Sequence, residues 1–488
     1  MLSPLRASVA SLVRSYSSCA KQLAVCIVGS GPAGFYTAHQ LLKLYGEDVK
    51  IDILDRLPTP FGLVRTGVAP DHEDTKNVTN QFTRIAQDPR VNFFGNVNVG
   101  RDITLDEIRK LYNAVVLAYG AESDRKLNIP GENSHGVHAA REFVWWYNGH
   151  PDQRDLPVDL SRVESVAVCG IGNVALDCAR ILLRPVSELA STDIARHALK
   201  QLQHSKVRQV QLCARRGPVQ AACTAKELKE LVSMPSIAVH AQPSQLAVSE
   251  ADQAQMKATR LKRRIYELIS NAAVAEKPGA SRDLFFQFYR NPAEIIADAD
   301  NQVQAIRVEK TQLVADPVRG TVAVGTGEYE EYPVQLVLKS IGYKSLPLPG
   351  VPFDDRQGVV PNAAGRVLTG VGAAADSTVP GLYVCGWLKR GPTGIIGTNL
   401  TDAEETVASM AQDYAMISQA PTAAAGGAGL QQLLQSRSVA VVDYAAWEQL
   451  NAHEVNQGQQ QGSVRVKCAA WDELLRAAGM ALPHVQAM

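Results

Sequence analysis

The sequence predicts an α/β fold with two doubly wound parallel sheets, and three observations support this prediction. The chain has 488 residues, which is enough for two or three domains. Two glycine-rich segments, residues 29–34 and 170–175, each follow a short apolar run and precede a helical pattern. Strand, glycine turn and helix in succession are typical of a parallel βαβ unit. We therefore expect two Rossmann-like units in one chain.

Composition excludes several other classes of protein. The 49 basic residues balance the 49 acidic ones, so no overall charge attracts the chain to nucleic acid. No apolar run reaches the roughly 18 residues that a membrane-spanning helix needs, so no transmembrane segment is expected. The 8 cysteines are scattered without C-x-x-C spacing, which argues against a metal site or a redox disulfide and fits a reducing compartment.

The amino-terminal 22 residues differ from the rest of the chain. They contain three basic residues and six serines, and no acidic residue occurs before Glu47. A basic, serine-rich segment without acids is typical of a mitochondrial transit peptide. We expect residues 1–22 to direct the protein to the mitochondrial matrix, with cleavage near Tyr16 and Ser17. A disordered tail without a targeting role is the alternative.

The first glycine segment has the features of a dinucleotide site. The apolar run LAVCIV leads into Gly29 for the tight turn, Gly31 for close approach of a pyrophosphate, and Gly34 for packing of the helix on the strand. The amino terminus of that helix supplies free N–H groups to the phosphates. A second predicted strand, VKIDILD, ends in Asp55, the carboxylate expected to hold a ribose hydroxyl.

The second glycine segment predicts a second dinucleotide. Gly170, Gly172 and Ala175 follow the run SVAVC, and the next predicted strand ends in Arg215 and Arg216. Because guanidinium groups suit a 2′-phosphate and a carboxylate there would repel it, this site is predicted to bind NADP(H). The first site is then left for FAD. Two exposed arginines at a strand end, without a ligand, are the alternative.

Long segments around these residues resemble one known family. VGSGPAGFYTA, PFGLVRTGVAPDHEDTKNV, GNVALDCARILL, RRGPVQAACTAKELKEL and GWLKRGPTGII are similar to the mitochondrial adrenodoxin reductase family, and the resemblance covers nearly the whole chain after the leader. These are NADPH-dependent ferredoxin reductases of the glutathione-reductase-like flavoprotein class. The resemblance implies hydride transfer from NADPH to FAD and single-electron transfer to a mitochondrial [2Fe-2S] ferredoxin. Cytochrome P450, haem or iron–sulfur cluster pathways would then receive the electrons.

The resemblance also implies further binding residues for each cofactor. For FAD, beside Gly29, Gly31, Gly34 and Asp55, they are Ala33, Leu63, Val99, Trp387, Gly394, Ile395 and Ile396. For NADP, beside Gly170, Gly172, Arg215 and Arg216, they are Ile171, Asn173, Val174, Glu227 and Gly394. The chain departs from the family pattern at Ile171, where glutamine is usual, and at Asp55, where glutamate is usual.

A dense basic cluster is the predicted docking site for the ferredoxin. It consists of Lys257, Arg260, Lys262, Arg263 and Arg264. At helical pitch, Lys257, Arg260 and Arg264 are expected to share one face. A charge run alone is usually a solvated helix face, but the resemblance implies that Arg260 and Arg264 meet an acidic ferredoxin surface.

His72 and Asp177 match family positions linked to proton handling and domain communication beside the flavin, and they are the candidate catalytic residues. An ordinary loop histidine and a helix-surface carboxylate are the alternatives. Because no C-x-x-C lies near either glycine segment, we expect electrons to leave directly rather than through a protein dithiol.

The predicted organisation is a discontinuous FAD domain, residues 23–123 and 344–488, with an NADP domain, residues 124–343, inserted between its parts. A peripheral association with the inner membrane is left open. Two other functions also stay open at this stage: a flavoenzyme of another kind, and a nucleotide-sensing module without catalysis.

Overall fold

The computed structural model of the protein describes residues 22–316, 320–419 and 425–481. The predicted cleavage position in the leader lies outside these residues. The strands, in chain order, are β1 (Leu23–Val28), β2 (Val49–Leu54), β3 (Val91–Phe94), β4 (Ala114–Leu117), β5 (Ser123–Asp124), β6 (Val137–Ala139), β7 (Ser165–Cys169), β8 (Gln209–Ala214), β9 (Ile237–Ala241), β10 (Arg282–Phe288), β11 (Arg290–Ala297), β12 (Val303–Asp316), β13 (Gly320–Pro333), β14 (Leu336–Lys339), β15 (Tyr343–Lys344), β16 (Asn362–Ala363), β17 (Arg366–Leu368) and β18 (Thr378–Val384).

Helices connect and cover these strands. They are α1 (Pro32–Tyr45), α2 (Leu63–Thr66), α3 (Glu73–Lys76), α4 (Thr79–Ala86), α5 (Leu105–Leu111), α6 (Ala140–Asn148), α7 (Asn173–Leu183), α8 (Val186–Leu189), α9 (Arg196–Gln203), α10 (Ala225–Val232), α11 (Glu250–Ala258), α12 (Arg260–Val274), α13 (Trp387–Arg390), α14 (Thr398–Gln412), α15 (Tyr414–Ile417), α16 (Gly426–Ser436), α17 (Tyr444–Gln460) and α18 (Trp471–Ala477). In the described part of the chain, no helix is both long and apolar enough to cross a membrane.

The first sheet is built from both ends of the chain. Its seven strands have the order β16-β17-β18-β4-β1-β2-β3, and the five from β18 to β3 are parallel. Strands β1 and β4 are buried on both faces, which explains their continuous apolar sequences. Apolar clusters fill the space on each side of the sheet, beneath helices such as α1 and α14.

The second sheet is built from the middle of the chain. Its six strands have the order β6-β14-β7-β8-β10-β9, and all neighbours pair in parallel. A separate antiparallel sheet, β11-β12-β13, follows strand β10. We call it the three-stranded sheet. Its first strand begins at Arg290, only one residue after β10 ends.

The chain passes between the first and second sheets at one place. Strand β5 leads out of the first sheet and pairs antiparallel with β15, which leads back into it. Two parallel sheets with helices on their faces confirm the predicted α/β fold with two Rossmann-like units.

The basic cluster differs from its predicted geometry. Helix α11 ends at Ala258, and α12 begins at Arg260, because Thr259 between them has an extended backbone with φ −136° and ψ 107°. Lys257 therefore belongs to a different helix from Arg260 and Arg264, and the prediction that all three share one helical face is wrong. Nothing as strong as proline or glycine marks this break, since Thr259 is a β-branched residue that helices tolerate.

Candidate active site

The first glycine turn lies between β1 and α1. Gly29 has φ +111°, and a side chain there would lie 2.5 Å from the carbonyl oxygen of Ala118. A Cβ on Gly34 would collide with the carbonyl oxygen of Gly29. Gly31, by contrast, faces open space with no atom within 4 Å of a Cβ position, at the start of α1. The turn thus has the open cradle that a pyrophosphate needs.

Asp55 lies beside this turn, directly after β2. Its Oδ2 accepts hydrogen bonds from the backbone N–H of Ser30 at 2.9 Å and from the Ser30 hydroxyl at 2.5 Å. Its Oδ1 accepts one from the N–H of Leu57 at 2.9 Å. These bonds fix the carboxylate at the carboxyl edge of the sheet, where a ribose would lie.

Distant segments of the chain close around the first turn. Gly62, which precedes Leu63 at the start of α2, packs against the backbone of Gly31. Gly386, which precedes Trp387, packs against Ala33. The segment containing Val99 follows β3, and two residues earlier the N–H of Val97 donates to the carbonyl of Asp55 at 2.9 Å.

The loop between α13 and α14 contains the other residues predicted to contact FAD. Gly394 has φ +83°, and Ile395 has 65% of its surface exposed, although it is a large apolar residue. Ile396 packs partly against the core, and the indole N–H of Trp387 donates to the carbonyl of Thr393 at 3.2 Å. An exposed apolar side chain in a glycine loop beside the open cradle is available to contact a cofactor.

The second glycine turn repeats this geometry between β7 and α7. Gly170 has φ +131°, and a Cβ there would collide with the carbonyl oxygen of Ser340. Gly172 faces open space at the start of α7. The side-chain oxygen of Asn173 accepts the N–H of Thr224 at 2.8 Å, which places the start of α10 beside the turn. Ile171 and Val174 are partly buried against the core of the second sheet.

Arg215 and Arg216 follow β8 directly and are both exposed. In the described residues, neither guanidinium has a carboxylate partner within 4 Å. Burial, and then the charge of Arg215, lower the pKa of Arg216 from its ordinary value. Two adjacent uncompensated cations one strand from an open glycine cradle fit a 2′-phosphate.

His72 and Asp177 lie together where the two sheets' units meet. The Nε2 of His72 is 2.8 Å from Glu230 and 3.4 Å from Glu227, both on α10. Asp177 on α7 is 2.8 Å from the guanidinium of Arg180. Burial, only partly offset by Arg180, raises the pKa of Asp177 to about 6. The carboxyl group of Asp177 can therefore exchange a proton near neutral pH.

The residues that organise this cluster were not predicted from the sequence. Arg180, fully buried, binds Asp71 with two hydrogen bonds of 2.7 and 3.0 Å. Asp71 lies in the PDHED segment that supplies His72, so Arg180 joins that segment to α7. The adjacent position of Asp71 to His72, and the spacing of Asp177 and Arg180 by one helical turn, were the available signals.

A metal ion was not predicted, and one group of residues could bind one. His72, Glu227 and Glu230 place their ligand atoms within 4.8 Å of one another. However, the guanidinium of Arg180 is 3.6 Å from Glu227 and 3.8 Å from Glu230. The guanidinium of Arg180 therefore already supplies the positive charge that a metal ion would bring to these carboxylates.

Arg260 and Arg264 are exposed on α12, away from both glycine turns. Arg264 has only a distant contact with Glu267, at 4.0 Å. The helix packs against the short 3-10 turn Pro218–Gln220 that follows Arg216. Helix α12 thus lies beside the turn that follows the arginine pair.

The seven described cysteines are all free thiols, and six of them are buried in the sheets and helices. No two of the described cysteines form a disulfide, and the neighbouring thiols of Cys169 and Cys213, on β7 and β8, are both buried in the second sheet.

These features define the class of protein: a pyridine nucleotide oxidoreductase with two dinucleotide-binding units. Residues 23–261 match the family model described as pyridine nucleotide-disulphide oxidoreductase. The chain is 51% identical over 470 residues to the mitochondrial NADPH:adrenodoxin oxidoreductase of Arabidopsis thaliana, covering 95% of this chain and 96% of that protein. It is 44% identical to the human protein of the same name, covering 98% and 96% respectively.

A solved structure gives the same result. The complex of Mycobacterium tuberculosis FprA with NADPH superposes with a TM-score of 0.87 at 40% identity, covering 94% of this chain and 100% of that chain. The chain belongs to the NADPH:adrenodoxin oxidoreductase family. Its predicted family is thereby confirmed.

Proposed function

We propose that the protein is an FAD-dependent oxidoreductase that oxidises NADPH and passes single electrons to a ferredoxin of the adrenodoxin type. The main support is the uncompensated pair Arg215 and Arg216 beside the open second glycine turn, in a member of this family. Relatives named for NADPH and adrenodoxin, or for NADPH and ferredoxin, support the donor and the acceptor.

The two cofactors have separate binding surfaces. Flavin, when bound, accepts two electrons as hydride and can release them one at a time. We assign its binding to the first glycine turn, Asp55 and the loops containing Leu63, Val99, Trp387 and 394–396. NADP(H) is assigned to Gly170, Ile171, Gly172, Asn173, Val174, Arg215, Arg216, Glu227 and Gly394. The corresponding domains are residues 23–123 with 344–488, and residues 124–343.

His72 and Asp177 are proposed to hold a proton between the two units. The Asp177 carboxyl group, with a pKa of about 6, can gain or lose a proton near neutral pH. Glu227 and Glu230 fix the orientation of the imidazole. These residues would hold a proton beside the cofactors while hydride is transferred.

The assay that tests this function is NADPH-driven reduction of cytochrome c by the holoprotein, with and without a mitochondrial [2Fe-2S] ferredoxin. We expect ferredoxin to raise the rate strongly with NADPH and weakly with NADH. A rate that does not depend on ferredoxin would contradict the assigned acceptor, and equal rates with the two coenzymes would contradict the assigned donor.

We assign the ferredoxin's docking site to the surface around Arg260 and Arg264. Both are exposed and lack a close carboxylate partner, so an acidic surface could approach them at little desolvation cost. Reversing both to glutamate should slow ferredoxin reduction about tenfold or more at low salt, with a smaller difference at physiological salt.

Reversal of Arg196 and Lys200 on α9 is the matched control for docking, because it changes the same charge at the same helical spacing. Flavin reduction by NADPH should be unaffected in both variants. Equal ferredoxin defects in the two variants would indicate a general charge effect instead of docking, and a parallel loss of flavin reduction would place Arg260 and Arg264 in the coenzyme site.

The location of the protein is proposed from its leader and its relatives. Several relatives are named as mitochondrial, and we extend this to the matrix, with peripheral contact to the inner membrane still open. A fluorescent protein fused to residues 1–22 should enter the matrix, and the mature chain should begin near Ser17. Fluorescence that stays in the cytosol would contradict the proposal.

A further inference from the structure

The backbone of the arginine pair is hydrogen-bonded to the three-stranded sheet and to the residue that precedes it. The hydroxyl of Thr311 on β12 donates to the carbonyl oxygen of Arg215 at 2.8 Å. The N–H of Tyr289, between β10 and β11, donates to the carbonyl oxygen of Arg216 at 3.3 Å. Two consecutive carbonyl groups, one from each arginine, thus accept hydrogen bonds from β12 and from the residue that precedes β11.

Thr311 occupies an irregular position in its strand. The pairing of β12 with β13 shifts register between Glu309 and Thr311, and β11 pairs with β12 only as far as Lys310. Beyond that point the N–H of Thr311 donates to the carbonyl of Tyr289 at 3.0 Å. Such bulges often redirect a side chain toward a functional site. Here the redirected side chain reaches the arginine pair.

Tyr289 and its neighbours make this attachment rigid. Tyr289 has φ +56°, an unusual conformation for a residue with a side chain, and it persists only where the surroundings enforce it. Arg290, buried next to it, binds Glu330 on β13 with two hydrogen bonds of 2.7 and 2.9 Å. The segment that contacts Arg216 is therefore fixed to β13 of the three-stranded sheet.

A rigid backbone matters at this position because the two guanidinium groups repel each other. Each is exposed and has no carboxylate partner in the described residues, so nothing at the side-chain level holds the forks in one orientation. Bidentate recognition of a phosphate depends on that orientation. The backbone determines where each side chain leaves the strand, and the hydroxyl of Thr311 binds that backbone at Arg215.

We propose that Thr311 is a positioning residue for the 2′-phosphate of the coenzyme, acting through the carbonyl group of Arg215. This inference rests on the proposed NADP(H) assignment. Thr311 does not need to touch the coenzyme; its hydroxyl fixes the direction in which Arg215 leaves the strand. The residue would therefore set the preference for coenzymes with a 2′-phosphate over those without one.

The test is calorimetric binding of NADP⁺ and NAD⁺ to the FAD-loaded protein, independent of turnover. Thr311→Val removes the hydroxyl and keeps the shape, so the affinity for NADP⁺ should fall about fivefold, the effect of one hydrogen bond. The affinity for NAD⁺ should not change. Thr311→Ser keeps the hydroxyl and should retain most of the preference. In steady state, the KM for NADPH should rise while kcat stays constant.

Thr326→Val is the matched control. The Thr326 hydroxyl donates to a backbone carbonyl of the same sheet, that of Lys310 at 3.0 Å, and does not touch Arg215. This variant should bind NADP⁺ as the wild type does. An equal loss in Thr326→Val, an equal loss for NAD⁺, or no loss in Thr311→Val would overturn the inference.

The double variant Arg215→Ala, Arg216→Ala distinguishes a failure of the coenzyme assignment from a failure of the role of Thr311. If it loses NADP⁺ selectively while Thr311→Val does not, only the role of Thr311 is wrong. If the double variant binds NADP⁺ as tightly as the wild type, the coenzyme assignment fails, and the role of Thr311 fails with it.

Discussion

At the scale of single residues, the chemistry of the site depends on charges that lack their usual partners. Among the described residues, Arg215 and Arg216 are exposed cations without a neighbouring carboxylate, whereas buried cations of the second sheet's unit, such as Arg180, are paired. Unpaired cations beside an open glycine turn attract an anion and select it by charge. Under the proposed function, coenzyme preference therefore depends first on these two side chains.

Replacing Arg215 and Arg216 by alanine should raise the KM for NADPH by several orders of magnitude and leave that for NADH nearly unchanged. Each charged hydrogen bond to a phosphate contributes about 1.5–3 kcal/mol, and the loss should be restricted to the ligand with the phosphate. Steady-state kinetics with both coenzymes measures this. A similar loss for NADH would mean that the arginines support the fold or the adenosine instead.

The raised pKa of Asp177 predicts how the free energy of unfolding depends on pH. Its pKa is raised from 3.8 to about 6 in the folded protein, so the unfolded chain loses this proton first as the pH rises. The folded state is thus destabilised progressively between about pH 4 and 6. Asp177→Asn has no such penalty, and its stability relative to the wild type should increase by up to about 2 kcal/mol from pH 4 to pH 7. Urea unfolding at the two pH values tests it, and a constant difference would contradict it.

At the scale of structural elements, the two strand–glycine turn–helix units were predictable because their signals are local. The glycine spacing between an apolar run and a helical pattern is visible in sequence, although only Gly34 is required by its own turn, whereas Gly29 and Gly170 are required by carbonyl groups that follow β4 and β14. The loops that close around these turns come from far along the chain, and their order in space depends on the sheet topology. The contact between Gly386 and Ala33 is an example that no local pattern indicates.

The contacts that the sequence did not indicate share this long-range character. Thr311 meets Arg215, and Asp71 meets Arg180, across about a hundred residues in each case. The break at Thr259 was missed for a different reason: basic residues on both sides continue a helical pattern, and the competing signal is a single β-branched residue. Resemblance to a family supplied several site residues that physical reasoning alone would not have found.

Gly31 provides the test at this scale. Because no atom lies within 4 Å of its Cβ position and its φ is −75°, alanine there should not disturb the fold. The added methyl group would occupy the space needed for a pyrophosphate, so FAD should bind at least about tenfold more weakly, which corresponds to ~1.4 kcal/mol. The visible absorbance per protein and a thermal melt of the apoprotein measure the two effects.

Gly370→Ala is the control for Gly31→Ala, since Gly370 also faces open space but lies in a loop away from both turns. That variant should retain its flavin. Full flavin retention in Gly31→Ala would contradict the assignment of the first turn to FAD.

At the scale of the whole molecule, a buried ion pair is one of the contacts that join the two units. The carboxylate of Asp71 has 2% of its side chain exposed, and the guanidinium of Arg180 has none. Although burial opposes it, the bonds from Arg180 hold the pKa of Asp71 below its ordinary value. The pair fixes the segment that contains His72 against α7.

Asp71→Asn should therefore weaken both stability and hydride transfer. Breaking a buried ion pair costs about 3–5 kcal/mol, and the remaining carboxylates around Arg180 should keep the loss near the lower end. Amide hydrogen exchange in α7 and urea unfolding measure it. Asp88→Asn, which removes a partly exposed pair with Arg90 inside the first sheet's unit, should cost less than 1 kcal/mol. Equal losses would show that Asp71 does not join the units.

The molecule as a whole has equal numbers of basic and acidic residues, so attraction of a partner depends on local charge alone. Helix α12, which carries Arg260 and Arg264, packs against the turn that follows the arginine pair. Under the proposed function, a two-electron donor site and a one-electron acceptor surface are joined through the flavin site.

The stoichiometry of electron transfer tests whether a two-electron donor reduces a one-electron acceptor through this protein. A limiting amount of NADPH is mixed anaerobically with catalytic holoprotein and excess oxidised [2Fe-2S] ferredoxin, and the absorbance of both is followed to completion. We expect two ferredoxins to be reduced for each NADPH oxidised. NADPH oxidation without ferredoxin reduction, or no oxidation of NADPH at all, would contradict it.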